Sequence, residues 1–152
     1  MSLFPEFSRP TTMATVYVGN RNDQWRTPRI LFERLDEEFG FTIDVAADGE
    51  SALCKRYICA EHDGLTANWQ GEVVWCNPPF SEAALWIEKA RREAENGAVV
   101  VMLLPVRTGN RSWHEHIFGV CREIRFVKGR LRFEGASHNA PFDCAIVIWG
   151  VG

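Results

Sequence analysis

The sequence predicts an α/β protein built around a mostly parallel, three-layered sheet. Two continuous apolar runs, Val73–Cys76 and Ala98–Leu104, have the length and composition of strands that are covered on both faces. Segments with the apolar spacing of helices separate the strands, and this alternation is typical of α/β proteins. At 152 residues the chain is expected to form a single domain, residues 23–152, behind a flexible N-terminal segment at residues 1–22.

The first predicted helix begins near Thr27 and ends at Gly40. Thr27 is expected to cap this helix, Pro28 suits its first turn, and glycine is favoured at a helix C-terminus. A strand over Phe41–Ala47 follows, and a second, short strand is expected at residues 56–60. The helix has an apolar stripe made of Leu31, Phe32, Leu35 and Phe39.

A second helix is expected between Ser81, as its N-cap, and Gly97. We expect Pro105 to stop the strand that follows this helix, because proline has no N–H to donate. A short helix is expected around Ser112–Phe118. The buried side of the second helix should consist of Ala83, Ile87, Ala90 and Ala94.

The C-terminal part of the chain predicts antiparallel strands. Ile124–Val127 and Leu131–Phe133 are separated by Lys128-Gly129-Arg130, which indicates a hairpin or a bulge. Ala145–Trp149 is the expected closing strand.

The segment Val73–Phe80 is the strongest functional signal. A buried strand ends at Asn77, and Pro78 and Pro79 hold the backbone extended, so that an amide and carbonyl groups project beyond the carboxyl end of the strand. An amino group on an aromatic ring is a poor nucleophile, and two fixed acceptors for its N–H groups would localise its lone pair. Phe80 is placed to stack on such a ring. This pattern favours amino methylation, and the alternative is an ordinary Pro-Pro turn.

Charge is distributed unevenly along the chain. The net charge is −3, but residues 105–133 contain seven Arg and Lys against two Glu. This asymmetry is consistent with one face that contacts a polyanion, and a solvated face is the equally weighted alternative.

Cysteine content and hydropathy narrow the class of protein. Five cysteines, odd in number and mostly within apolar runs, indicate reduced thiols of a cytoplasmic protein. Cys54, Cys59 and His62 lack a second ligand pair, so a zinc site is not expected. No apolar run approaches the length of a membrane span, so a membrane partner is not expected.

Two further residues invite a functional interpretation. Trp25 precedes the first helix, where a tryptophan often serves only to anchor the helix to the core. Asp44 lies within an apolar strand, and burial of a carboxylate is costly unless it is bonded. The alternative for Asp44 is a strand-end aspartate that caps the next turn.

Six blocks of the sequence together resemble the phage-type DNA N-6-adenine methyltransferases. They are more specific as a set than the Asn-Pro-Pro-Phe motif alone, and they follow the order of that family. The blocks are Asp23–Pro28, Phe41–Ala47, Asp63–Leu65, Cys76–Phe80, Leu103–Thr108 and Gly129–Phe133.

The resemblance implies a Rossmann-like fold that binds S-adenosylmethionine, releases S-adenosylhomocysteine, needs no metal and methylates the exocyclic amino group of adenine in DNA. It assigns the catalytic role to Asn77, Pro78, Pro79 and Phe80. It assigns the cofactor to Trp25, Thr27, Pro28, Asp44, Ala46, Asp63 and Leu65. With the charge pattern, it makes DNA-binding candidates of Arg107, Arg111, Lys128, Arg130 and Arg132.

The family likeness also implies a phage or prophage protein that acts in the cytoplasm of a bacterial host. The sequence does not determine the oligomeric state, for which a monomer is favoured. Two departures stand out: Phe80 replaces the more usual tyrosine, and Asp44–Ala47 lacks the glycines of most cofactor loops. Two alternatives therefore stay open. One is a methyltransferase acting on cytosine, an RNA base or a protein amide, and the other is a decayed, DNA-binding relative without catalysis.

Overall fold

A computed structural model describes residues 25–59 and 64–151 of the chain. The expected flexible segment at residues 1–22 and the proposed cofactor residue Asp63 lie outside the described residues. Within the described parts, six strands form one sheet: β1 (Ile43–Ala47), β2 (Tyr57–Cys59), β3 (Val73–Cys76), β4 (Val99–Pro105), β5 (Glu123–Phe126) and β6 (Cys144–Trp149).

The strands lie in the order β2-β1-β3-β4-β6-β5. The first four run parallel, β6 runs antiparallel to β4, and β5 runs antiparallel to β6. The carboxyl ends of β1, β3, β4 and β5 therefore share one edge of the sheet, which we call the carboxyl edge. The chain leaves β1 toward β2 and returns on the other side of β1 as β3, so the strand order reverses between β1 and β3. Ligands of α/β sheets bind at such a reversal.

Both faces of the sheet are covered by apolar packing. Alternate residues of β4 point to opposite faces, so Met102 and Leu104 belong to one core cluster and Val101 and Leu103 to the other. The first cluster packs against helices α2 (Ala83–Glu95) and α3 (Arg111–His116), and the second against α1 (Arg29–Phe39) and residues 131–142. This three-layer arrangement confirms the predicted α/β class with a mostly parallel sheet and an antiparallel C-terminal pair.

Helix α1 matches its predicted range, but its predicted cap is wrong. The residue before the helix is Pro28, no side chain caps the first turn, and the hydroxyl of Thr27 is bonded to Asn77 instead. Gly40 ends the helix as expected, in the left-handed conformation (φ 68°), with its N–H donating to the Asp36 carbonyl at 2.8 Å.

The second predicted cap is also wrong, because Ser81 lies inside a 3-10 turn, Phe80–Glu82, that precedes α2. β4 ends at Pro105, as expected, and Pro105 itself is the last residue of the strand, opposite Cys144 of β6. At the carboxyl edge of the sheet, proline is tolerated as the last residue of a strand.

The expected hairpin between residues 124–127 and 131–133 is not formed. Residues 131–133 are not a strand, and β5 pairs with β6 in the register Ile124↔Val147. The closing strand Cys144–Trp149 is entirely buried and lies between β4 and β5. This six-residue apolar strand takes the position beside β5 because it buries more apolar surface there than residues 131–133 would.

Candidate functional site at the carboxyl edge of the sheet

The side chain of Asn77 is held in one orientation directly beyond the end of β3. Its Nδ2 donates to the backbone carbonyl of Trp25 at 2.5 Å and to the Thr27 hydroxyl oxygen at 3.0 Å. The two acceptors belong to the segment that enters α1, so this segment and β3 meet beside the β1–β3 reversal. Both N–H groups of the amide are thereby engaged, and an amide flip would bring its oxygen against the Trp25 carbonyl.

This orientation leaves the amide oxygen of Asn77 available as an acceptor. Oδ1 is buried, and no group among the described residues donates a hydrogen bond to it. An unsatisfied buried acceptor costs roughly 1–3 kcal/mol, so native structures rarely keep one without a purpose. An N–H donor on a ligand would satisfy it.

The ring of Phe80 lies inside a group of four aromatic side chains that we call the aromatic cluster: Trp25, Phe80, Phe133 and Phe142. Phe80 is only 2% exposed and contacts Phe133 and Phe142 edge-on, with ring centroids 6.3 and 5.8 Å away. Trp25 contacts the same two phenylalanines edge-on at 5.3 and 5.2 Å. Phe80 is therefore covered in this structure by rings from the β5–β6 connection.

The anchoring alternative for Trp25 is supported by these contacts, since its ring packs on the second core cluster. Its carbonyl nevertheless orients Asn77, so one residue serves both packing and the site. Phe133 falls within the block Gly129–Phe133 that carries the family resemblance, but it was not expected to contact Phe80, and Phe142 was not singled out at all. Nothing in their local spacing indicates that the chain returns them to Phe80.

The other end of the Asn77–Phe80 motif is held by Arg107. Its Nη1 donates to the carbonyl of Phe80 at 2.9 Å, and the same oxygen accepts the backbone N–H of Ala83. Arg107 follows β4, the neighbour of β3, so the two carboxyl ends lie within reach of each other.

Asp44 is buried in β1, and its carboxylate organises the loop that follows. One oxygen accepts from the Ala46 N–H at 3.2 Å and the other from the Leu53 N–H at 3.1 Å. Burial raises the pKa of Asp44 to about 6, although these two bonds act in the opposite direction. This geometry supports the turn-capping alternative, with Asp44 and Ala46 lying beneath the β1–β2 loop.

The segment that carries Leu65 is packed tightly onto β1 and α2. A Cβ on Gly64 would lie 2.3 Å from the Val45 carbonyl oxygen and 2.4 Å from the Trp86 ring, so only glycine permits this approach. Leu65 packs against the first core cluster.

A buried ion pair holds the same loop to α2. Lys89 and Glu93 lie one helical turn apart in α2, and Lys89 Nζ is 3.0 Å from Glu93 Oε2. Lys89 also donates to the Ala67 carbonyl, and Glu93 Oε1 accepts a hydrogen bond from the Trp69 N–H at 2.7 Å. The loop from Gly64 to Trp69 is thus fixed at both ends.

The basic stretch at residues 105–133 does not form a single face. Arg122 precedes β5 and therefore lies at the edge opposite Asn77, and Arg125 is bonded to Glu38 through two N–H groups at 2.7 Å each. Lys128 and Arg130, which follow β5, lie at the carboxyl edge.

The cations of the carboxyl edge differ in their local bonding. Arg111 pairs with Glu115 at 2.6 Å, and Arg130 lies 3.5 Å from Asp143. Arg132 donates to the carbonyls of Ala136 and Ser137. Apart from Arg107, the side chains predicted to contact DNA are all exposed: Arg111, Lys128, Arg130 and Arg132.

The groups at this edge fit a cationic, amino-acid-bearing ligand such as S-adenosylmethionine. The exposed carboxylate of Asp48 directly follows β1, 3.9 Å from Arg26, and the buried carboxylate of Asp44 lies under the loop that follows the strand. Next to them, the unsatisfied Asn77 oxygen suits a neutral amino group that such a ligand would modify.

Two other kinds of site find no support in residues 25–59 and 64–151. No three His, Cys, Asp or Glu side chains are grouped there as a metal ion would require, and no helix there has the length and apolar character to span a membrane. All five cysteines are free.

Fold and site together define an α/β protein whose candidate ligand site lies at the reversal of strand order between β1 and β3, beside the oriented amide of Asn77. Comparison with known proteins gives the particular family. A sequence model of the family "DNA N-6-adenine-methyltransferase (Dam)" matches residues 15–148, and the chain belongs to that family. The resemblance described above is thereby confirmed.

Individual relatives agree with the family assignment. The chain is 32% identical over 108 residues to a DNA N-6-adenine-methyltransferase of Haemophilus phage HP1, a match that covers 69% of this chain and 62% of that protein. It is 33% identical over 111 residues to a DNA N-6-adenine-methyltransferase of Escherichia phage T1, covering 72% of this chain and 46% of that protein. The chain thus spans about half to three fifths of the length of these relatives.

Proposed function

We propose that this protein transfers a methyl group from S-adenosylmethionine to the exocyclic amino group of adenine in DNA. The observation that carries the proposal is the Asn77 side chain, whose N–H groups are both engaged and whose buried oxygen is left as an acceptor. Family membership and the names of the two phage relatives support the same activity.

The chemistry assigned to the motif is the localisation of a lone pair. The oxygen of Asn77 and the carbonyl of Pro78 accept hydrogen bonds from the two N–H groups of the adenine amino group. The lone pair is thereby localised on the amino nitrogen and less delocalised into the ring. Pro78 and Pro79 contribute rigidity, since both prolines restrict the backbone around the acceptors. Preorganised dipoles of this kind lower a barrier without a charged base.

The cofactor is proposed to lie at the carboxyl end of β1, held by Trp25, Thr27, Pro28, Asp44, Ala46, Asp63 and Leu65. When bound, S-adenosylmethionine supplies an activated methyl group on a sulfonium, and S-adenosylhomocysteine is the product. Asp44 contributes by shaping the loop from Ala46 to Leu53, because its two oxygens are bonded to backbone N–H groups of that loop.

Adenine must leave the duplex to reach the acceptors, because its amino group is paired inside the helix. Phe80 is proposed to stack on the extruded base. Since Phe133 and Phe142 cover Phe80 in the structure, base capture requires the β5–β6 connection to move away from it.

DNA is proposed to lie along the carboxyl edge, where its phosphates meet Arg111, Lys128, Arg130 and Arg132. Arg107 shares this edge but has its guanidinium on the Phe80 carbonyl. We further propose that residues 23–152 act as one domain, as a monomer, in the cytoplasm of a bacterial host.

The decisive experiment combines labelled S-adenosylmethionine with unmethylated DNA and identifies the modified nucleoside. Label in N6-methyladenine supports the proposal, whereas label in methylated cytosine, RNA or protein would favour the other amino substrates. Asn77→Ala should lower transfer by about 10²–10³-fold, as removal of one preorganised polar group does elsewhere. Asn96→Ala, at an exposed asparagine that follows α2, is the matched control.

Cofactor binding is tested separately by thermal unfolding. Ligand at about a hundredfold over its Kd should add about 2.7 kcal/mol of stability. The parent protein and Asn77→Ala should respond alike, because Asn77 is assigned to the base. Absence of any shift at millimolar cofactor would favour a decayed, DNA-binding relative.

A further inference from the structure

The Asn77–Phe80 motif is held in place by contacts from other segments of the chain. Pro78 and Pro79 have no N–H groups, so two of its four residues cannot anchor the backbone as donors. The observed contacts hold the motif through the Asn77 side chain and through the Phe80 carbonyl. The segment around Trp25 and Thr27 holds the first end, as described above.

Arg107 holds the other end. Its Nη1 donates to the Phe80 carbonyl at 2.9 Å, and its Nη2 is buried. A hydrogen bond from a charged donor is shorter and stronger than a neutral one, and the planar guanidinium restricts the direction of approach. A guanidinium with one terminal nitrogen bonded to a backbone carbonyl and the other buried is poorly placed to serve as a ligand for a phosphate on the surface.

The position of Arg107 in the fold makes this contact a link between two strands. Arg107 follows β4, and β4 is paired with β3 along the register Val73↔Val99 to Cys76↔Met102. The contact therefore ties the motif after β3 to the first residues after β4, at the same edge of the sheet.

We propose that Arg107 is a positioning residue for methyl transfer, which fixes the Pro78 carbonyl and the Asn77 amide by clamping Phe80, and that it is not a phosphate contact. This inference rests on the proposed function. A misplacement of about 1 Å in a reacting group can cost about 10²-fold in rate, so the loss of this clamp should appear in kcat.

The test compares Arg107→Gln, Arg107→Lys and Arg122→Gln. Arg122 is the matched control, because it has the same charge and also donates to a backbone carbonyl, that of Gly150 at 3.4 Å, but at the opposite edge of the sheet. For each variant, kcat and KM for DNA are measured at saturating cofactor, with DNA affinity over a range of salt concentrations.

Arg107→Gln should lower kcat by about 10²-fold, with the slope of DNA affinity against salt unchanged. Arg107→Lys keeps a charged donor and should recover part of kcat, and Arg122→Gln should match the parent protein. The proposal is overturned if Arg107→Gln retains the parent kcat but loses DNA affinity and about one unit of salt slope, as expected for a phosphate ligand.

A second measurement separates this inference from the proposed function. Hydrogen exchange of backbone amides at residues 80–83 reports on the clamp whether or not the protein methylates DNA. Arg107→Gln should speed exchange there while the melting temperature shows that the fold persists. If the parent protein is inactive, the proposed function fails, and unchanged exchange in the variant would overturn the positioning role as well.

Discussion

Replacing Thr27 by valine is the sharpest test of how Asn77 is oriented. Valine keeps the shape of threonine but removes the hydroxyl that accepts from Asn77 Nδ2 at 3.0 Å. Thr27 is 6% exposed, so water cannot readily replace the lost acceptor. Thr27→Ser keeps the hydroxyl and is the matched control.

The size of the effect follows from the bonds that remain. The amide keeps its bond to the Trp25 carbonyl, so one of its two N–H groups loses a partner, at a cost of about 1–3 kcal/mol. For a chain of this size, each kcal/mol lowers the melting temperature by about 2–4 °C. With one restraint left, the Asn77 oxygen is less well aimed, and a loss of about 1.4 kcal/mol in the transition state would lower kcat about tenfold.

The assay combines thermal unfolding, calorimetric cofactor binding and steady-state methylation at saturating DNA and cofactor. Thr27→Val should melt earlier and react more slowly than Thr27→Ser, with cofactor affinity less affected than kcat. Equal melting temperatures and equal kcat for the two variants would refute the reasoning. A loss confined to cofactor affinity would mean that the Thr27 hydroxyl serves the proposed cofactor site and not the orientation of Asn77.

Three further predictions concern other parts of the site. Gly64→Ala should destabilise the fold by about 1–3 kcal/mol in chemical denaturation, because the new methyl group meets the Val45 carbonyl. Gly49→Ala should not, because a Cβ there meets only the Tyr57 hydroxyl oxygen, at 4.0 Å. Because burial raises the pKa of Asp44 from 3.8 to about 6, the folded state holds that proton more tightly than the unfolded state. The proton bound to Asp44 therefore stabilises the fold below pH 4, and this contribution of about 3 kcal/mol is lost as the pH rises to about 6. Asp44→Asn should remove this part of the dependence of stability on pH. A variant with the same dependence as the parent protein would contradict the prediction. Lys128→Gln should reduce the salt slope of DNA binding by about one unit and weaken binding alike for all sequences, and a slope equal to that of the parent protein would place the DNA elsewhere.

Much of the fold was predictable because the signals are local. Val73–Cys76 and Val99–Leu104 are apolar enough to be recognised as central strands, and the αL conformation of Gly40 follows from the absence of a side chain. The caps were mispredicted for a complementary reason: a hydroxyl such as that of Thr27 bonds to whichever partner the tertiary structure supplies.

The pairing of β5 was also decided beyond local sequence. Residues 124–127 and 131–133 have the composition of a hairpin, yet β5 pairs with the buried strand β6. Burying a whole apolar strand stabilises the fold by more than the entropy that is conserved when a hairpin closes only a short loop. This comparison cannot be made from the sequence of one segment alone.

The sequence by itself determined the class of fold, the motif Asn77–Phe80 and the family, because each depends on which residues follow one another. Only the tertiary structure decided which way the Asn77 amide points, that Phe80 lies beneath Phe133 and Phe142, and that Arg107 holds the Phe80 carbonyl. These contacts join residues between 27 and 62 positions apart. Their partners are chosen by the packing of the sheet and its two covering layers, so no local pattern could indicate them.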